Sequence, residues 1–352
     1  MTALTALPAL PALPGTAIPF TAGDGRPLRL RRLGKADEAP KGPVLLVHGA
    51  GVRSSIFQAP VPENLVQRLV AEGWDVWLED WRASIDLPPC DWTLDQAALY
   101  DHPQAVRKVV EVTGRDRIKA IIHCQGSTSF TMSALAGLVP QVDTIVTNAV
   151  SLCPVIPAFS RFKLAFTLPL IHQFMDGLDP QWGEYAPDWK AKLIRAVAVS
   201  THFESENAVS KLVSFTYGSG HPALWRHENL NAATLDWLRH EFARVPLTFF
   251  EQIRACVRAG HLVSVDGHPE LPSNFAAGPL RTGARWTFLA GELNRCFLPS
   301  SQVRAHAHFE SRQPGRHHLH LFPSYSHLDI FMGQRASTDV FPVILSALAA
   351  PN

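Results

Sequence analysis

Ala120-Ile121-Ile122-His123-Cys124-Gln125-Gly126-Ser127 is the stretch on which the reading of this chain turns. The apolar run Ile118 to His123 predicts a buried strand, and Gly126 opens a predicted helix that runs to Leu138. Between them the chain must reverse in a single sharp turn, which holds the residue at its tip, Cys124, above the end of the sheet. Small residues are needed beside such a tip because the strand and helix backbones approach closely. Gly126 and Ser127 supply them on the helix side; on the strand side Ile122 stands where glycine is usual. A thiol beside a histidine is a competent nucleophile, because the thiolate is its reactive form. Taken alone, the segment reads rather as a buried structural cysteine at a strand end, and the nucleophile reading needs the further segments below.

Working outward, the same alternation recurs. Val44 to Val47 is an apolar run bounded by Gly42-Pro43 and Gly49, Asn64 to Glu72 reads as a helix and Asp75 to Asp80 as a strand. Leu94 to Val112 reads as a helix interrupted or restarted at Pro103, and Thr144 to Val150 as a strand. Strands alternating with helices predict a mostly parallel central sheet with helices on both faces. The alternation stops near Cys153 and resumes with a strand at Arg285 to Ala290. It continues with a helix from about Pro299, a strand at His318 to Phe322 and a closing helix at Ser337 to Leu348. The sheet is therefore expected to be built from residues 20–153 and 276–352, with 154–275 inserted as a cap over the ligand crevice. Ahead of it, residues 1–19 repeat an A-L-P unit and predict an extended Pro-rich lead-in, and Asp24-Gly25 predicts a hairpin.

Composition narrows the function classes. The chain has 352 residues, 46% hydrophobic and 18% charged, enough to bury a sizeable core. Lys plus Arg is 32 against 31 for Asp plus Glu, which argues against a general nucleic-acid binder. The five cysteines exclude complete disulfide pairing and favour a reducing, cytoplasmic setting. Cys90, Cys153, Cys256 and Cys296 read as structural, Cys296 being the one nearest the expected site. The N-terminus lacks a basic start and an unbroken apolar core, so no signal peptide is expected, and no run is long enough for a membrane span.

Three further segments complete a chemical pattern. His48-Gly49-Ala50-Gly51 follows the Val44–Val47 strand and offers backbone N–H groups for an oxyanion, from Ala50 or Gly51, with Gln125 supplying the second. Tyr325-Ser-His-Leu-Asp329 follows the last predicted strand, where a catalytic histidine is expected in the order nucleophile, acid, base, which selects His327. The orienting acid should follow the Arg285–Ala290 strand. There the chain reads Gly291-Glu-Leu-Asn294, with Asn294 in the register of the usual aspartate and Glu292 as the alternative orienter. The bland reading of the sixteen histidines is structural. His318 and His320 share one face of a strand, with His306 and His308 nearby, but without the carboxylate or thiolate spacing of a metal site. Phe159, Phe162, Phe166, Phe174, Trp182 and Trp189 could line an apolar tunnel or form the cap's own core.

The combination resembles the acid-lipase-like branch of the α/β-hydrolase superfamily. It is closer still to the hydrolase domains found with cholesterol-oxidase-type flavin oxidoreductases. The residues that carry the resemblance are Gly73-Trp-Asp-Val-Trp-Leu, Asp80-Trp-Arg-Ala-Ser, Tyr100-Asp-His-Pro, His123-Cys-Gln-Gly, His227-Glu-Asn-Leu-Asn, Gly291-Glu-Leu-Asn and Ser326-His-Leu-Asp-Ile-Phe-Met-Gly333. The resemblance implies an eight-stranded sheet, a helical cap and hydrolysis of esters of bulky apolar acids or alcohols. No cofactor or metal is expected, and a functional link to a flavin oxidoreductase is. Cysteine at the tip also resembles polyhydroxyalkanoate synthases. Acyl transfer therefore stands beside hydrolysis, as does a catalytically quiet partner of an oxidoreductase.

Overall fold

The computed structural model describes residues 12–34, 39–203, 207–219 and 222–351. Among these described residues are ten strands: β1 (Gly15–Thr21), β2 (Pro27–Leu33), β3 (Pro43–Val47), β4 (Asp75–Asp80), β5 (Ile118–His123), β6 (Val142–Asn148), β7 (Gly177–Leu178), β8 (Val245–Pro246), β9 (Arg285–Gly291) and β10 (His318–Phe322). Eight of them form one sheet in the order β1-β2-β4-β3-β5-β6-β9-β10, while β7 and β8 pair with each other. β1–β2 and β2–β4 are antiparallel, and every later pairing in the large sheet is parallel.

From β3 the chain moves to β4 on one side and then to β5, β6, β9 and β10 on the other. The strand order thus reverses between β3 and β5. The loops leaving the carboxyl ends of those two strands flank a crevice there, because their crossovers run to opposite sides. The His48 loop follows β3 and Cys124 follows β5, so both chemical motifs stand at the reversal.

β3, β4 and β9 are buried along their whole length, as strands covered on both faces must be. Trp77, Trp286, Phe288 and Phe309 are among the large side chains fully enclosed around them. β10 is the edge strand opposite β1, and His318 and His320 on it are exposed.

Several boundaries differ from the sequence reading for definite reasons. β1 already begins at Gly15, inside the stretch read as a lead-in, because its backbone pairs with β2 from Gly15 opposite Leu33. Residues 1–11 of that stretch lie outside the described residues. The Leu94–Val112 segment is helical almost throughout, but it widens into a π turn at Ala97–Asp101 directly before Pro103. Proline has no N–H to donate, so the regular ladder cannot continue through it. The closing helix is split into Ala336–Asp339 and Phe341–Ala349, with Pro342 in the first turn of the second piece. Among its described residues the segment 154–275 holds helices, the short strands β7 and β8, and a helix-free stretch over 260–275. No helix among the described residues is long and apolar enough to cross a membrane.

Candidate active site

β5 ends at His123, and the next helix begins at Cys124 itself, running to Leu135, two residues earlier than the sequence pattern suggested. The reversal is made by Cys124, whose φ of 55° lies in the left-handed region. For a residue with a Cβ this is strained, at a cost of about 1–3 kcal/mol that the surrounding packing must overcome. The tightness shows again at Gly126, where an added Cβ would lie 2.1 Å from the carbonyl oxygen of His48. Only glycine lets the helix that starts at Cys124 pass the His48 loop at this distance.

A buried relay fastens the helix from below. His102 joins Glu79 through Nδ1 at 2.9 Å and Ser129 Oγ through Nε2 at 2.7 Å, and all three residues are fully enclosed. Ser–His–Glu is the composition of a catalytic triad, but no substrate reaches this one. Its effect is to tie β4 and the helix after β5 together. Burial raises the Glu79 pKa, opposed by His102.

The His327 loop is set by a second close approach. An added Cβ at Gly291 would meet the Ser326 carbonyl oxygen at 2.1 Å, so the end of β9 and the histidine loop run against each other. This brings Asn294 to His327: the amide Nδ2 lies 3.1 Å from ring Nδ1, and Oδ1 accepts the backbone N–H of Cys296 at 2.9 Å. Glu292 is exposed, and only its backbone is engaged, donating to Phe322. Asp329 braces the loop by accepting the backbone N–H of Ser326 at 2.7 Å and the Asn229 amide at 2.7 Å. Burial pushes its carboxyl up to about 6.

Sulfur and nitrogen meet in one cluster. Each of His123, Cys124 and His327 has a ligating atom within 4.8 Å of the other two, and all three residues are buried. Among the described residues this is the one group close enough together to hold a metal ion. The His306, His308, His318 and His320 region forms no such group. The His123 and His327 rings lie 4.7 Å apart. Asn148 bridges them, its Nδ2 lying 3.0 Å from His123 Nδ1 and donating to the His327 carbonyl at 2.9 Å.

All four buried groups are neutral at pH 7. Burial pushes the Cys124 thiol up to about 12, against hydrogen bonds from the backbones of Gln125 and Ala50. Burial lowers His327 to about 3 and His48 to about 4, and places His123 well below its ordinary range.

Those two amides, Gln125 and Ala50, are the backbone groups that reach the sulfur. The N–H of Gly51 is directed elsewhere, donating to the Ala83 carbonyl at 3.2 Å. The Tyr217 hydroxyl donates to the Ala50 carbonyl at 3.1 Å, holding the loop from the cap side. His123, Asn148 and Tyr217 were not singled out from sequence. His123 sits inside the quoted elbow, but no local pattern marks Asn148 or Tyr217.

Residues of the segment 154–275, with Cys296 and Phe297, wall a pocket that opens onto Cys124 and Gln125, with about 760 Å³ of empty space counting its mouth. Its walls include Leu164, Leu168, Phe215, Phe249, Phe250 and Phe297. The aromatics expected to line a tunnel or form cap core do neither in five of six cases. Phe159, Phe162, Phe166, Phe174 and Trp189 are 52–67% exposed, and Phe159, Phe162 and Phe166 pack against one another on an outward face. Trp182 alone is partly buried against the core. The helical spacing was correct, but spacing cannot say which way a face turns. All five cysteines are free, and Cys296 lines the same pocket as Cys124.

No protein-family model matches the chain. Lipase lipl-1 of Caenorhabditis elegans is 33% identical over 125 residues, 30% of this chain and 31% of that protein. Human lipase member K is 33% identical over 102 residues, 26% of each chain. Sterol esterase 2 of Saccharomyces cerevisiae is 26% identical over 113 residues, 29% of this chain and 21% of that protein. The chain thus spans about a third or less of the length of these curated relatives. Solved structures match nearly end to end. The DcsB complex with its substrate analogue aligns with TM-score 0.59 and 14% identity over 95% of this chain and 98% of that one. An esterase from Exiguobacterium antarcticum aligns at 0.57 and 10%, covering 95% and 100%, and an epoxide hydrolase from Vigna radiata at 0.58 and 11%, covering 94% and 97%. These likenesses, with the sheet order above, establish the α/β-hydrolase fold.

Proposed function

We propose that this chain is a carboxylesterase- or lipase-like hydrolase that uses Cys124 as its nucleophile on esters or thioesters of bulky apolar substrates. One observation carries the reading: a strained elbow thiol, a buried histidine and two convergent backbone amides meet at the mouth of an apolar pocket. The partial similarity to lipases and a sterol esterase supports the ester class.

In the proposed reaction His327 takes the thiol proton as Cys124 Sγ attacks the acyl carbon. A C–S bond forms, and the carbonyl π electrons move onto oxygen, which the N–H groups of Gln125 and Ala50 hold. The oxyanion collapses, the C–O bond to the leaving alcohol breaks, and His327 returns the proton to that oxygen. Water then attacks the thioester and releases the acid. Burial opposes a thiolate–imidazolium pair, raising the thiol and lowering His327, so the proton must move as the C–S bond forms; a thiol, a better acid than a hydroxyl, asks less of the base for this.

Acyl transfer is the second reading, favoured by the apolar pocket wall beside Cys124, where an apolar alcohol competes well with water for the thioester. The resemblance to flavin-oxidoreductase-associated hydrolases adds a proposed functional link to such an enzyme. The decisive experiment is mass spectrometry of the protein after brief exposure to a p-nitrophenyl ester. An acyl mass on the peptide containing Cys124 is expected. Turnover with no adduct on that peptide, at any quench time, would sink the thioester mechanism. Product analysis with an added alcohol separates ester formation from hydrolysis.

A further inference from the structure

The pocket is mostly apolar, with a few neutral polar side chains such as Ser160, Thr167 and Tyr217. Lys163 is the only charged side chain among the described residues that line it. It opens a π turn, Lys163–Thr167, between two short cap helices. Its Nζ donates to the carbonyls of Phe215 and Gly218 at 2.6 Å each. Both belong to the C-terminal end of the helix Ala208–Tyr217, where unpaired carbonyls favour a cation. The ammonium also lies 5.3 Å from the Phe215 ring and 5.6 Å from the Phe159 ring.

These contacts account for part of the charge. A helix terminus presents only about half an elementary charge, and two of the three N–H donors are used. Among the described residues no carboxylate pairs with Lys163. Burial lowers its pKa to about 8, and the neighbouring Cys296 thiol, itself pushed up by burial, supplies no standing counter-charge. Lys163 is half-buried, and a cation held there without a counter-ion is unfavourable, so an arriving anion recovers part of that cost. Lys163 lines the same pocket that Cys124 opens into.

We infer that Lys163 selects substrates that carry a carboxylate at a fixed distance from the scissile ester, joined to it by an apolar body. This inference rests on the ester-cleaving reading and specifies its substrate class. An alcohol or ketone oxygen would meet the third N–H but leave the charge uncompensated. Apolar walls accept the body of the molecule, and the fixed position of the ammonium sets the length.

The test compares two series of p-nitrophenyl esters on the full chain: hemiesters of dicarboxylic acids from succinate to sebacate, and esters of the monocarboxylic acids of equal length. Expected is a ratio of kcat/KM, hemiester over neutral ester, that peaks at one chain length at about 10-fold, the scale of one charged hydrogen bond. Lys163→Gln, which keeps donors for the two carbonyls, should bring the ratio at that length to about one or below, and Lys163→Arg should keep a preference. A ratio below one at every length, or one unaltered by Lys163→Gln, overturns the inference. If neither series is turned over, the ester-cleaving reading fails separately. Lys163 is then judged in Cys124→Ala protein by the rise in Tm with monomethyl sebacate against dimethyl sebacate. Equal shifts, or a difference that survives Lys163→Gln, reject the carboxylate site.

Discussion

Asn294 donates to His327 rather than accepting from it. Its Oδ1 is taken by the Cys296 N–H at 2.9 Å, so the amide nitrogen is the atom that faces ring Nδ1 at 3.1 Å. Nδ1 must then be the acceptor, and the ring proton sits on Nε2, the nitrogen left for the thiol. A general base needs the opposite tautomer. To reach it the amide must turn over and abandon the Cys296 N–H.

Aspartate at 294 would accept from both partners at once. Asn294→Asp is therefore expected to raise kcat/KM on a p-nitrophenyl ester, by about 10-fold or more, given that a wrong tautomer costs far more than this in a serine triad. Asn294→Ala should change the rate less than His327→Ala does. Steady-state kinetics on the three variants checks this, and a slower Asn294→Asp enzyme would contradict the tautomer argument.

Cys124→Ala should abolish turnover, a loss of several orders of magnitude, and leave the near-UV spectrum unchanged. Alanine keeps the Cβ but removes the sulfur. Cys124→Ser should also be impaired, because a hydroxyl needs a stronger base system than Asn294 and His327 offer. Full activity in the alanine variant would remove Cys124 from the reaction.

Stability should fall in mild acid. His48, His123 and His327 have folded pKa values below the ordinary value of about 6.5, each chiefly through burial. Below pH 6.5 the unfolded chain binds protons that the folded chain refuses, so stability present above that pH is lost as it falls. Each histidine contributes roughly 1.4 kcal/mol per pH unit over this window. Asp329, raised to about 6, and Glu79, also raised, act with the opposite sign and offset part of the loss. Urea midpoints should hold steady from pH 8 to 6.5 and then drop toward pH 5. A constant midpoint over the whole range would contradict the buried neutral histidines.

Tyr217→Phe should lower kcat by about 10-fold with little change in KM. The lost hydroxyl frees the Ala50 carbonyl and with it the loop whose N–H reaches the sulfur. The scale is below that of deleting an oxyanion donor outright. An equal fall in kcat/KM for a slow and a fast leaving group supports this positioning role. A change confined to KM would place Tyr217 in substrate binding instead.

Much of this was legible along the chain. Period and punctuation mark the strands, because a buried parallel strand must be a short apolar run ended by a turn, as Val44–Val47 before Gly49 shows. The elbow is legible because backbone crowding at Gly126 leaves only a small residue. His327 is legible because a motif order survives in linear sequence. The acid position is half legible: register pointed to Asn294, but the direction of its hydrogen bond depends on the Cys296 backbone.

What only the tertiary structure decided are the relations between segments far apart. Ala50 rather than Gly51 points at the sulfur because Ala83, on another loop, captures the Gly51 N–H. The cap phenylalanines share a helical face, as their spacing requires, but that face turns outward. Periodicity defines a face without orienting it. Lys163 looks like any surface lysine in sequence and becomes the lone charged side chain of a mostly apolar pocket only where the fold brings residues 156–178 and 215–218 beside Cys124. Local sequence sets backbone shape through short-range sterics and burial. The charge, tautomer and accessibility of a side chain are set by whichever distant groups the fold brings against it.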